Sequence, residues 1–208
     1  RSGVLGEDGG EGVAGVPQGS PLSPLLANIY LAEFDRRVGR RHVLVRYADD
    51  LVVLCATEEE ARKARDEVEA ALNDEGLSMK PEKTRVTRFD LGVDFLGYHV
   101  SSRGPAPSAR SVKRYQEKVR ALTMRHDTRP LEEVVQRVML VVRGWTNYFR
   151  LTKRPDRLWH LGGWTISRLR GYAVKHRWYG AWAKFVPIEM LYGMGFRTPG
   201  HVLASWSL

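Results

Sequence analysis

The sequence predicts an α+β half followed by an all-α half. Three observations carry that expectation. Two β-rich runs, Val43-Leu44-Val45-Arg46-Tyr47 and Leu51-Val52-Val53-Leu54-Cys55, flank a short polar turn and lie between helical patterns. Beyond residue 110 the apolar residues recur at helical spacing only. The charge also reverses. Residues 1–100 carry 13 Lys/Arg against 18 Asp/Glu, a net −5, and residues 101–208 carry 20 against 6, a net +14. The change of architecture and of sign coincide, which sets the expected domains at 1–100 and 101–208.

The elements follow in order. Residues 1–23 hold seven Gly and two Pro, a turn-rich stretch with room for a short strand at 13–16. A single helix is expected next, with Ser23 as cap and Pro24 at the first helical position, where its missing N–H costs nothing. Leu25, Leu26, Ile29, Tyr30, Phe34 and Val38 mark its buried face. The hairpin over 43–55 follows. Thr57 and Glu60 form a capping box that opens a helix with Ala61, Ala64, Val68, Ala71 and Leu72 on one face, closed by Gly76. Strands are expected over 77–89 and over 93–100. Residues 101–110, rich in Ser, Pro and Gly, read as a linker. Helices are expected near 111–125, 130–150 and 156–185.

Composition narrows the function classes. No apolar run approaches the ~20 residues that span a bilayer, so no membrane partner is expected, and the N-terminus has no signal-type apolar stretch. The single cysteine, Cys55, rules out an internal disulfide and fits a reducing compartment. The six His residues lack zinc-type spacing. A basic half of this size, interleaved with six Trp, fits the neutralisation of nucleic-acid phosphates.

Two adjacent carboxylates in the hairpin turn, Asp49 and Asp50, are the feature that most asks for chemistry. Asp in a turn is often explained by local hydrogen bonding alone. A pair projected from a rigid hairpin can instead hold Mg²⁺, which takes hard oxygen ligands and keeps several waters. Two such ions clamp the attacking and leaving oxygens of a phosphoryl transfer.

Gly15-Val16-Pro17-Gln18-Gly19-Ser20-Pro21-Leu22-Ser23-Pro24 and on to Leu31, then Arg46-Tyr47-Ala48-Asp49-Asp50 to Leu54, Gly76 to Val86, and Asp94-Phe95-Leu96-Gly97-Tyr98 to Val100 resemble, in order, four palm motifs of reverse transcriptases. The resemblance implies a partial right-hand polymerase palm, an antiparallel sheet with helices. It makes Asp49 and Asp50 the catalytic metal ligands for Mg²⁺. Pro17, Gln18, Gly19, Tyr47, Ala48 and Lys83 would line the nucleotide and template pocket, and Phe95, Leu96, Gly97 and Tyr98 would be the primer grip. An exposed strand lysine would account for Lys83 equally well, and core aromatics for Phe95 and Tyr98. The family's fingers and its first metal-binding Asp have no counterpart here, because Glu7, Asp8 and Glu11 lie too close to the Pro-Gln-Gly loop. The 208-residue chain is therefore expected to be N-terminally truncated and not to polymerise alone.

The second half resembles the thumb, or maturase-specific domain, of group II intron-encoded proteins through Arg143-Gly144-Trp145-Thr146-Asn147-Tyr148-Phe149-Arg150, Ile166 to Arg170, and Lys175 to Trp178. Its basic residues are expected to bind RNA: Lys113, Arg114 and Lys118, then Arg143, Asn147 and Arg150, then Arg168, Arg170, Lys175 and Arg177. Trp145, Tyr148 and Phe149 share one helix face, which favours core packing. The implied protein copies an RNA template from a DNA primer with dNTPs and Mg²⁺, assists splicing of group II intron RNA, and resides in a bacterial cytoplasm. The alternatives are an RNA-binding splicing factor, an inactive remnant, and a CRISPR-associated or retron-type polymerase. No Cys/His cluster follows Pro199, so the nuclease domain of some relatives is not expected. The residues leave the oligomeric state open.

Overall fold

The computed structural model describes residues 21–124, 126–175 and 186–205, with the Lys175 side chain excepted. The expectations for the 13–16 strand, for Pro17, Gln18 and Gly19, for Arg177 and for the helix over 176–185 lie outside these residues. The chain divides into two compact units, residues 1–88 and 89–208.

In the first unit, helices α1 (Ser23–Tyr30) and α2 (Ala32–Gly39) precede the antiparallel strands β1 (Val43–Tyr47) and β2 (Asp50–Leu54), and helix α3 (Glu58–Asp74) follows. The single helix expected from residue 23 is two, separated at Leu31 (φ −87°, ψ 5°). The helical bond pattern persists across it, with Leu31 N donating to Ala27 O and Asp35 N to Leu31 O. Leu22 holds the N-cap position expected for Ser23, and Pro24 falls within the first turn. The periodicity marked an apolar face, but only two of its six residues are buried. Phe34 and Val38 are 1% and 3% exposed, whereas Leu25 and Ile29 are 55% and 62% exposed, since no described element covers α1.

The core of this unit is Phe34 and Val38 from α2 against Val68, Ala71 and Leu72 from α3, with Leu44, Leu51 and Val53 of the hairpin packed upon them. Helix α3 starts and stops as its caps dictate. Thr57 Oγ1 accepts from Glu60 N at 3.1 Å, and Glu60 Oε2 reaches back to Ala56 N at 2.9 Å, one residue beyond the usual box partner. Gly76 takes φ +71° and lets Leu77 N return to Leu72 O. The strand expected over 77–89 is absent. Pro81 removes a donor there, and Thr84 closes a turn on Lys80 O through both its N and its Oγ1.

The second unit begins with a three-stranded antiparallel sheet, β3 (Val93–Phe95), β4 (Tyr98–Val100) and β5 (Ala106–Pro107). The single strand expected over 93–100 is thus a hairpin, reversed by a two-residue turn with Leu96 at φ +49° and Gly97 at φ +79°. The expected linker is also structured. Ala106 and Pro107 pair with His99 and Tyr98 and are buried, with Pro107 on an edge strand, where a missing N–H is tolerated.

Helices α4 (Ala109–Leu122), α5 (Leu131–Tyr148) and α6 (Pro155–Lys175), then the short α7 (Ile188–Gly193) and α8 (Pro199–Ala204), complete the unit. Their core joins Tyr115 and Val119 of α4 and Val134, Val138 and Val142 of α5 to Leu169 of α6 and Phe196, all under 2% exposed.

Candidate functional site

The hairpin register places the predicted carboxylates. Leu44 pairs with Val53 and Arg46 with Leu51, on the face over the α2–α3 core, while Val45 pairs with Val52 and Tyr47 with Asp50 on the other face. Strand side chains alternate between faces, so Asp50 shares the open face with Tyr47, which is 66% exposed. The turn is Ala48-Asp49. Both carboxylates are exposed, and neither makes an ion pair or side-chain hydrogen bond among the described residues. Uncommitted oxygens on a fixed turn suit a hard cation that keeps its waters. Among the described residues, no three Asp, Glu, His or Cys side chains gather into a metal-binding group. The pair therefore fits part of a metal site.

The turn is held from behind by a residue that the sequence reading passed over. Arg46 points inward and its side chain is only 8% exposed. Its Nε donates to Asp35 Oδ1 at 2.7 Å and its Nη2 to Asp35 Oδ2, a bidentate pair to α2. Its Nη1 donates to the Ala48 carbonyl at 3.0 Å. The hydrogen bond to Asp35 pushes the Arg46 guanidinium further up, so the tether stays charged. An arginine on the inward register of an alternating strand requires a buried partner, and that signal was present in the sequence.

The Phe95–Tyr98 turn is clamped within the second unit. Tyr98 OH donates to Tyr148 O at 2.5 Å, and Tyr148 OH donates to Leu96 O at 2.8 Å. The Tyr98 ring lies 4.8 Å from that of Phe149. Ser108 caps α4 through Ser111 N, its own N–H donates to Gly97 O at 2.9 Å, and Ser111 Oγ donates to the same carbonyl at 2.8 Å. Both turn residues are thus fixed by their carbonyls. Of the shared helix face, Phe149 is 4% exposed, Trp145 half-buried and Tyr148 exposed beneath the turn it holds.

The basic residues divide into two groups. Lys113, Arg114, Lys118, Arg143, Asn147 and Arg150 are exposed, with side chains uncommitted among the described residues. Arg168 and Arg170 are half-buried and hold the fold: Arg168 Nη2 donates to Thr123 O at 2.8 Å, tying α6 to the end of α4, and Arg170 Nε donates to Val186 O at 2.9 Å. The backbone of Lys175 ends the described part of α6, and Lys83 is exposed on the irregular segment after α3.

A hairpin presenting free carboxylates, with a basic helical unit in the same chain, suits a protein that acts on nucleic acid. Residues 7–100 match the family model described as reverse transcriptase (RNA-dependent DNA polymerase). Residues 112–185 match that of the group II intron maturase-specific domain. The chain belongs to the group II intron reverse transcriptase/maturase family. It is 35% identical over 77 residues to the retron Ec86 reverse transcriptase of Escherichia coli, an alignment spanning 35% of this chain and 24% of that protein. It is 37% identical over 78 residues to a retrovirus-related Pol polyprotein from the type-1 retrotransposable element R2 of Nasonia vitripennis, spanning 33% of this chain and 8% of that protein. The chain thus covers about a quarter, or less than a tenth, of the length of these relatives. Among the described residues no helix is long and apolar enough to cross a membrane.

Proposed function

We propose that this chain carries the catalytic hairpin of an RNA-directed DNA polymerase of group II intron type, joined to a helical unit that binds group II intron RNA and assists its splicing. The observation that carries this reading is the uncommitted Asp49–Asp50 pair, tethered by Arg46, in one chain with a maturase-specific domain. The two functional regions are 1–100, part of a right-hand palm, and 101–208, the thumb and maturase domain. Asp49 and Asp50 hold Mg²⁺, which when bound stabilises the charge of the transferring phosphoryl group. Tyr47 and Ala48 lie under the incoming nucleotide and template, which Pro17, Gln18 and Gly19 also bind, with Lys83 near the triphosphate. The backbone of Phe95 to Tyr98 grips the DNA primer. Such a protein works in a bacterial cytoplasm on an RNA template with dNTPs. The maturase-specific match favours this reading over a retron-type polymerase, which only the short alignment to the retron enzyme supports.

Among the described residues no third carboxylate joins the pair, and two carboxylates bind Mg²⁺ less firmly than three and leave the two-metal clamp incomplete. The 208-residue chain is therefore expected to bind structured RNA, with an affinity that falls steeply with salt, and to leave a primer unextended. Primer extension and filter binding on the same preparation check both points. Extension that Asp49→Asn abolishes would overturn the incomplete-site reading, and a flat salt response would overturn the RNA-binding role.

A further inference from the structure

Between α5 and α8 the second unit holds an open cleft of about 770 Å³. Its floor is apolar, with Met139 at 3% and Val202 at 8% exposure. Its rim is cationic and polar. Arg143 and Asn147 stand one helical turn apart on α5, facing Arg197 and His201 across the opening. No carboxylate lines the cleft, and neither arginine has an ion-pair partner among the described residues. Arg137 and Arg154 of the same unit do have partners, in Glu133 and Asp156.

The cationic side is prearranged. Arg197 Nη1 donates to Tyr192 O at 3.0 Å and to Phe196 O at 2.6 Å, and its guanidinium lies 5.4 Å from the Tyr192 ring centroid. That fixes the group and leaves Nη2 and Nε with no partner among the described residues. The His201 ring sits edge-on to Trp159 and Tyr192, with Nδ1 2.9 Å from Thr198 Oγ1, which leaves Nε2 uncommitted. At the cleft Gly144 presents bare backbone, and a Cβ built there meets nothing within 4 Å.

An apolar floor, an amide at the edge and two guanidiniums without ion-pair partners match one ligand chemistry, a nucleobase attached to a phosphate. The base face packs on methionine and valine, the Asn147 amide bonds a base edge, and the arginines take the phosphate. We infer that this cleft is a site for a single unpaired nucleotide of RNA, turned out of its helix. The inference rests on the RNA-binding reading of the helical unit and goes beyond it by replacing a diffuse phosphate contact with a pocket.

The test uses the full 208-residue chain, a hairpin RNA with one bulged nucleotide, and the same hairpin without the bulge. Seating a base contributes enough for the bulged RNA to bind about tenfold more tightly. Gly144→Leu fills the cleft without altering charge and replaces a helical glycine by a stronger helix former. It is expected to erase the preference while leaving affinity for the unbulged hairpin unchanged. Asn147→Ala reduces the preference by a second route, and Gly163→Leu, at an exposed glycine of α6 with equal space, retains it. If millimolar nucleoside monophosphate erases the preference, free nucleotides also enter the site; a preference that survives confines the ligand to the RNA strand. Equal affinity of the wild-type chain for both hairpins, with steep salt dependence, overturns the pocket and leaves the RNA-binding reading standing. Binding to neither RNA overturns both, and a preference undiminished by Gly144→Leu overturns the placement of the base.

Discussion

Replacing Tyr115 by Phe tests how the helical core is held, because its effect should change sign with pH. Tyr115 is 1% exposed, and its hydroxyl lies 2.9 Å from Thr165 Oγ1. Thr165 spends its single hydrogen on Leu161 O at 2.8 Å, so Tyr115 is the donor of the pair. At neutral pH the substitution removes one net hydrogen bond, about 1 kcal/mol, and Thr165 keeps its own bond to Leu161.

At alkaline pH a second effect opposes this. Burial pushes the Tyr115 phenol up to about 12, against an ordinary value of 10.0. Between those limits the unfolded chain has released a proton that the native chain retains. The unfolded state then binds fewer protons, and stability falls with rising pH by about 1.4 kcal/mol per pH unit. The contribution is intact below the unfolded value and is lost as pH rises towards the folded one, about 2 kcal/mol by pH 12. Tyr115→Phe lacks this loss, and the other titrating groups cancel in the comparison. The variant should therefore be about 1 kcal/mol less stable than wild type at pH 8, equal near pH ~10.7, and about 1 kcal/mol more stable at pH ~11.5. Urea unfolding of both proteins across that range measures the gap. A gap that stays constant with pH would refute the reasoning.

Three further outcomes are expected. Arg46→Ala should cost roughly 2–4 kcal/mol, because it leaves Asp35 without its bidentate partner and releases the Ala48 carbonyl; Arg46→Lys should recover under half, and chemical unfolding of the two variants decides. Thr146→Val should be neutral or stabilise by about 1 kcal/mol, since the Thr146 hydroxyl is buried with no partner among the described residues; a thermal midpoint lowered by several degrees would contradict this. Tyr148→Phe should cost about 1 kcal/mol and speed amide exchange over residues 95–98, because the lost hydroxyl is the donor to Leu96 O; unchanged exchange there would remove the clamp.

What the sequence made legible was local chemistry. The Thr57–Glu60 cap and the Gly76 stop act within a few residues, and both occur where expected. The hairpin around Ala48-Asp49 was legible because alternation and a polar break lie in one short window. The turn at Leu96-Gly97 was not, since a leucine at positive φ argues against a turn until the Tyr148 hydroxyl, 52 residues away, is known to hold it. The β5 strand was hidden for the opposite reason: a Pro-rich composition signals a loop, and only its pairing with β4 makes it an edge strand. Periodicity identified the apolar face of α1 but carries no information about what covers it. Arg197 and His201 escaped notice because their meaning depends on Arg143 and Asn147 facing them.

The two turns that carry the expected metal ligands and primer grip share a construction. Ala48 and Leu96 are the only non-glycine residues at positive φ among those described, at 54° and 49°. Left-handed backbone costs an ordinary residue about 1–2 kcal/mol relative to the right-handed region, so neither turn would be fixed by its own preferences. Each is instead fixed by one side-chain donor on the carbonyl of the strained residue: Arg46 Nη1 on Ala48 O at 3.0 Å, and Tyr148 OH on Leu96 O at 2.8 Å. Each donor is anchored elsewhere in its own unit, Arg46 by Asp35 and Tyr148 by its place at the end of α5. Glycine at position 48 or 96 would relieve the strain but also admit other turn geometries, lengthening the search for the productive one. A strained residue held at its carbonyl gives a turn whose position is set by the packed core behind it, within its own unit.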